Sequence, residues 1–179
     1  MTRQNVIKIE TLTFDYDEIE DRILVSANLY NHLDEVNFWL TRKLTLKLLE
    51  AGTGLIEKTS PVIAKTPTEH RAAMALFEHQ NAEQSVAAQS FPANISKENS
   101  IELSTDPSVL TRLDIGYKAK QYKFSFFVAK QDDVIAISLI NCKEFHQILA
   151  LIHKGALHLN WGVQNQLFMP TDNEPYTLQ

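Results

Sequence analysis

The stretch YKFSFFVAKQDDVIAISLINCKEFHQILALIHKGALHLNW, Tyr122 to Trp161, decides how the chain is read. Tyr122, Phe124, Phe126 and Val128 alternate with Lys123, Ser125 and Phe127, a period of two that predicts a strand with one bulky apolar face. Gln131, Asp132 and Asp133 supply turn chemistry, because short polar side chains satisfy turn backbone groups. Val134 to Ile140 is largely apolar on both faces and predicts a second strand covered on both sides. Asn141 then reads as a helix N-cap, with Glu144 in the capping-box position. Phe145, Ile148, Leu149, Ile152, Ala156 and Leu159 recur at helical spacing, while Ala150, Leu151 and Leu157 lie outside that stripe. Lys143, Gln147, Lys154 and His158 leave only a narrow polar face. A helix this apolar around its circumference needs cover on more than one side. The sheet supplies one cover, and a second element of this chain or of another copy must supply the other.

Upstream, Val6–Tyr16 reads as a first strand whose apolar parity changes between Ile9 and Leu12, so a bulge is expected near Glu10 and Thr11. An acidic turn over Asp15–Asp21 leads to a second strand with Ile23, Val25, Ala27 and Leu29 alternating. After the turn Asn31–Asp34, Val36, Phe38 and Leu40 form a third. Connections this short imply antiparallel neighbours. Thr41 caps a helix from Arg42 with Leu44, Leu48, Ala51 and Leu55 on one face, stopped at Ser60 and Pro61. Gly52 and Gly54 weaken its last turns by up to about 1 kcal/mol each relative to Ala. A second helix is expected from Thr66, with Pro67 at its first position and Glu69 completing a capping box, running toward Ala88. Val109, Leu113, Ile115 and Tyr117 predict a strand pairing with Tyr122–Val128, and Ile101–Leu103 a short edge strand.

These readings add up to an α+β fold of antiparallel β-meanders, about six strands, with a helical hairpin inserted between two three-strand runs and a C-terminal helix packed on the sheet. One domain is expected over residues 1–161, with 90–108 a linker or long loop and 162–179 a loosely ordered tail docked through Leu167 and Phe168. The element order resembles the globular heads of end-joining repair scaffold proteins, in which a helical hairpin interrupts a meander and the last helix dimerises. The resemblance rests on element order alone, and no function is carried over from it.

The 179 residues are 44% apolar, enough for a sizeable core, and their net charge of -5 gives no general case for binding polyanions. Cys142 is the only cysteine, which excludes an intrachain disulfide and suits a reducing compartment. With no signal-peptide pattern and no apolar run of spanning length, a cytoplasmic protein without membrane attachment is expected.

Each motif with chemistry in it has a plainer reading. The carboxylates of Asp15, Asp17, Glu18, Glu20 and Asp21 are not spaced as a calcium loop, since Ile19 and Glu20 stand where a ligand and a glycine belong. Cys142 and His146, four apart on a helix, are the one pair with nucleophile chemistry, and a small cysteine beside a boundary histidine explains them as well. His146 and His153 are about 10 Å apart along a helix axis and cannot share one zinc. No metal site, cofactor or catalytic residue is therefore expected. Trp39 falls on the strand face opposite Phe38 and reads as packing.

What remains is a surface. The leading expectation is a non-enzymatic protein–protein interaction or assembly module, homodimeric through the 143–161 helix, with Leu151, Leu157 and Trp161 in the contact. The alternative is a nucleic-acid-associated accessory protein using the basic hairpin of Arg112, Lys118, Lys120, Lys123 and Lys130.

Overall fold

A computed structural model describes residues 5–29, 31–88, 103–128 and 133–168. The described residues form a mixed α+β fold, with a curled seven-stranded sheet and four helices. The strands are β1 (Ile7–Ile9), β2 (Leu12–Asp17), β3 (Arg22–Ala27), β4 (Val36–Thr41), β5 (Ser108–Lys118), β6 (Gln121–Val128) and β7 (Ala136–Ile140). The helices are α1 (Arg42–Thr59), α2 (Pro61–Lys65), α3 (Arg71–Ala88) and α4 (Cys142–His158), and a single 3₁₀ turn, Thr68–His70, precedes α3.

The parity change at Glu10 and Thr11 is a change of sheet position rather than a bulge. β1 pairs in parallel with β7, whereas β2 pairs antiparallel with β3. The spatial order is β1-β7-β6-β5-β4-β3-β2, so two strands separated by only two residues lie at opposite ends of the sheet. The sheet must curl for its ends to meet there. Seven strands replace the expected six, and the sheet is mixed rather than purely antiparallel. The second parallel contact is brief: Phe38 and Trp39 of β4 pair with Ser108 and Val109 of β5. It joins two antiparallel meanders, β2-β3-β4 and β5-β6-β7, both of which follow the sequence reading.

Inside the curl, period-two residues of both meanders face the helices. Ile23, Phe38, Leu40, Tyr122 and Phe124 are almost wholly buried, as are Phe145, Leu149, Ile152 and Ala156 of α4 and Ile56 of α1. The Phe38 and Phe126 rings stack at 5.3 Å, tying the two meanders together beyond their short backbone contact. Phe145 packs against both Tyr122 and Phe124, at 4.7 and 5.2 Å between ring centres.

Helix boundaries follow the caps. Asn141 accepts the Glu144 N–H, and the Glu144 carboxylate accepts the Asn141 N–H, which completes the expected capping box. At the far end Trp161 N–H donates to Ala156 O and Asn160 N–H to Leu157 O, with Asn160 at φ 54. That double bond with a left-handed residue is a Schellman ending. Ser60 and Pro61 stop α1 as expected, yet the same pair starts α2, since Ser60 accepts the Ile63 N–H and Pro61 has a helix-ready φ. The capping box expected at Thr66 does not form. Thr66 hydroxyl instead donates to Val62 O, and α3 begins at Arg71. The expected two-sided cover of β7 is also incomplete, because Leu139 is 55% exposed on the outer face. The expected strand at Ile101–Leu103, most of the 90–108 connection, the turn at Gln131 and Asp132, and the tail beyond Phe168 lie outside the described residues.

Candidate interaction surfaces

α4 organises the functional geometry. One side lies on the sheet, and the second cover comes from α3 and α1 of the same chain, with His146 and His153 buried. The outward arc holds Lys143, Lys154 and His158, all exposed, between half-buried Leu151 and Leu157. Six residues put those two leucines about 120° apart around the helix, so they belong to different neighbourhoods. Trp161 is 2% exposed; its indole N–H donates to Asp21 Oδ1 at 2.6 Å and its carbonyl accepts from Arg42. The ring therefore closes the end of α4 against the acidic turn of its own subunit.

Leu151 has a more specific setting. Its carbonyl accepts the Tyr16 hydroxyl at 2.7 Å, which pins β2 to α4, and burial pushes that hydroxyl up to about 12. The Leu151 side chain lines a cleft of about 130 Å³ at the seam of the curl, together with Leu12, Phe14, Leu139 and Ile148. Glu10, Glu144 and Gln147 stand among its lining groups. The cleft exists because β1 pairs with β7 only as far as Ser138, leaving Leu139 and Ile140 without a neighbour on that side among the described residues. β2 borders it as a terminal strand. Asn28 N–H donates to Thr11 O, so by antiparallel alternation the backbone groups of Leu12 and Phe14 point away from β3 along the free edge. The Tyr16 N–H on that edge is capped by Asp15 Oδ1.

The seam is held by a residue that no motif marks. Asn28, 1% exposed and at φ 60, donates its amide to Lys8 O and Asp34 O and accepts from Glu10 N–H and Asn31 Nδ2. A buried amide with all its groups paired fixes where the chain leaves β1 and enters β2. Only the parity change two residues after Lys8 hints at it in the sequence.

A second, larger groove of about 850 Å³ runs between α1 and β5. It opens because β4 leaves the sheet at Thr41 to begin α1, abandoning β5 after its first two residues. Leu48, Leu55, Leu113 and Ile115 make the apolar lining, and Lys47, Lys58 and Arg112 outnumber Glu50.

The basic hairpin is exposed at Arg112, Lys118, Lys120 and Lys123, and Lys130 lies outside the described residues. Arg112 is already engaged, its guanidinium 3.7 Å from the Phe127 ring centre and 3.3 Å from Asp114. Tyr122, Phe124 and Phe126 are buried and present no stacking face beside these cations.

The Cys142–His146 pair is not joined. Sγ lies 3.9 Å from the Tyr122 hydroxyl, and burial pushes the thiol above its ordinary range, away from thiolate. His146 Nδ1 instead meets His79 Nδ1 at 3.2 Å. His153 Nε2 donates to Gln164 O at 2.6 Å. In the acidic turn, Asp17 Oδ1 accepts the N–H groups of Ile19 and Glu20, so this carboxylate serves the turn itself. Among the described residues no group of three or more His, Cys, Asp or Glu is arranged to hold a metal ion. No helix there is long and apolar enough to cross a membrane.

No protein-family model, curated protein or solved structure matches the chain.

Proposed function

We propose that the protein is a non-enzymatic interaction module that assembles with a second copy of itself at the seam of its curled sheet, with Leu151 of α4 in the contact. The observation carrying this reading is the juxtaposition of Leu139, 55% exposed, with half-buried Leu151 beside the free edge of β2. An open strand edge next to an apolar cleft is a surface that proteins ordinarily cover. A two-fold axis suits it, because two copies of one edge strand pair antiparallel and each buries the other's cleft. The non-enzymatic part of the reading is supported by the state of the nucleophile candidates: Cys142 is held toward its thiol form and His146 is committed to His79.

Sedimentation velocity between micromolar and 100 micromolar concentrations tests the reading. A dimer mass at tens of micromolar is expected, lost in Leu139→Glu and in Leu151→Glu. A folded wild-type monomer across that range overturns the proposal. Dissociation by Leu157→Glu with Leu139→Glu still dimeric would move the interface to the outward arc of α4.

A further inference from the structure

The groove between α1 and β5 combines three features that seldom coincide by accident. The first is a strand edge that none of the described strands pairs. The β5–β6 hairpin turns through Ala119 and Lys120, both at positive φ, with Lys118 and Gln121 as the closing pair. In such a two-residue hairpin the closing pair is hydrogen-bonded, and alternate pairs after it are too. The backbone groups of Gly116 and Asp114 are thereby spent on β6, while those of Tyr117, Ile115 and Leu113 point toward the open side. β4 does not reach them, since its pairing with β5 ends at Val109.

The second is an apolar trough alongside that edge. Leu113 and Ile115 of β5 face Leu48 and Leu55 of α1 across a volume of about 850 Å³. A Cβ built on Gly54, which lines the trough, would meet no atom within 4 Å, so the space is not filled from the helix side. The third is charge. Lys47 and Lys58 line the trough with Glu50, while Arg112 at its rim is already paired with Asp114, so the two lysines leave the trough positive in a chain whose net charge is -5.

We infer that this groove binds an extended, acidic peptide segment of a partner protein, which adds as a strand to the free edge of β5, places alternate apolar side chains against Leu55 and Ile115, and sets its carboxylates near Lys47 and Lys58. Strand addition uses main-chain hydrogen bonds for affinity and alternate side-chain pockets for specificity. The cations supply attraction and orientation more than raw affinity. A peptide fits better than a nucleic acid, because Glu50 and Asp114 stand among the cations, the neighbouring Tyr122 and Phe124 rings are buried, and the partly exposed Tyr117 is tied by its hydroxyl to Thr59 O. This inference is separate from self-association at the seam, which lies on β2 and β7.

The test is fluorescence anisotropy of the full chain with three labelled decapeptides at low salt: alternating valine and glutamate, alternating valine and lysine, and the valine–glutamate peptide N-methylated on alternate residues. The acidic peptide should bind in the micromolar range and weaken as salt rises, and the other two should bind at least tenfold more weakly. The double variant Lys47→Glu, Lys58→Glu, on exposed helix positions, should lose at least tenfold for the acidic peptide. Equal binding of the acidic and basic peptides, undiminished binding of the N-methylated peptide, or no binding of any at millimolar concentration overturns the inference. So does displacement of the acidic peptide by a single-stranded oligonucleotide that itself binds more tightly. Leu139→Glu should leave the peptide affinity unchanged, so failure of the dimer and failure of the groove are read separately.

Discussion

His79 and His146 meet Nδ1 to Nδ1 at 3.2 Å between α3 and α4, with Phe168 packed against both rings. One ring must donate and the other accept. His146 Nε2 is buried without a partner among the described residues, and His79 Nε2 faces Glu83 Oε1 at 3.8 Å. Orphaned donors are rarer than under-used acceptors. The proton therefore belongs on His146 Nδ1, and His79 keeps its own on Nε2 toward Glu83.

That arrangement requires neutral rings. Burial lowers both imidazoles from the usual 6.5 to about 4, and for His79 the neighbouring His146 and His153 add to the effect. The unfolded chain takes up protons below about pH 6.5, whereas the folded chain resists them until about pH 4. Stability is thus full above the unfolded value and falls as pH drops through that window, by up to about 1.4 kcal/mol per pH unit for each ring. Thermal melts between pH 7 and 4.5 should show the decline, and His79→Phe combined with His146→Leu should flatten it. An unchanged slope in the double variant would place the acid sensitivity elsewhere.

Asn28 controls the seam through four side-chain hydrogen bonds, two given and two received. Asn28→Ala should cost about 2–4 kcal/mol, since it strands buried partners and puts alanine at a left-handed φ. Asn28→Asp keeps the acceptor and loses the two donated bonds, so it should be no better tolerated. Urea unfolding gives both values; a loss under about 1 kcal/mol would show that the seam is held by strand pairing alone.

Gly52 and Gly54 sit two residues apart on α1 and should respond oppositely to alanine. A Cβ on Gly52 would lie 2.8 Å from Leu149 Cδ2 and 3.2 Å from Phe145 Cζ, both in the tightly packed face of α4. Gly54 has open space there. Gly54→Ala should therefore stabilise by about 0.5–1 kcal/mol through helix propensity. Gly52→Ala should destabilise by about 1–3 kcal/mol through overpacking. Melting temperatures that rise for both would mean α1 can slide off α4 at little cost.

The β5–β6 turn carries Ala119 and Lys120 at φ 51 and 64, which a type I′ turn demands and neither residue favours. Ala119→Asn with Lys120→Gly should add about 1 kcal/mol, measured by denaturant unfolding. No gain would indicate that the turn adjusts to its present residues without strain.

Much of the scaffold was legible in the chain itself. Period-two patterning marks β3, β4, β5 and β6, and Asn141 with Glu144 marks the start of α4. Leu151 falls off the apolar stripe in the sequence, and in the structure it lines a cleft. The surroundings that make the cleft were not legible, because Leu139 reads as core in a largely apolar strand. Trp161 reads in the sequence as a contact residue, whereas the structure buries it with its indole N–H on Asp21, 140 positions away. Nor did any pattern single out the α1–β5 groove, which is defined by a strand that leaves early rather than by residues that stand out.

By itself the sequence determined local things: which segments are strand and which form the long helices, where α1 and α4 start and where α1 stops, and which faces are apolar. Those follow from spacing, capping and turn chemistry, all of which act within a few residues. The tertiary structure alone decided that β1 and β2 part company, that α3 and α1 together cover the second side of α4, and that no described strand pairs with β5 beyond Val109 on its β4 side. These are choices among partners distant in the chain, and an apolar face records only that it must be covered, not by what.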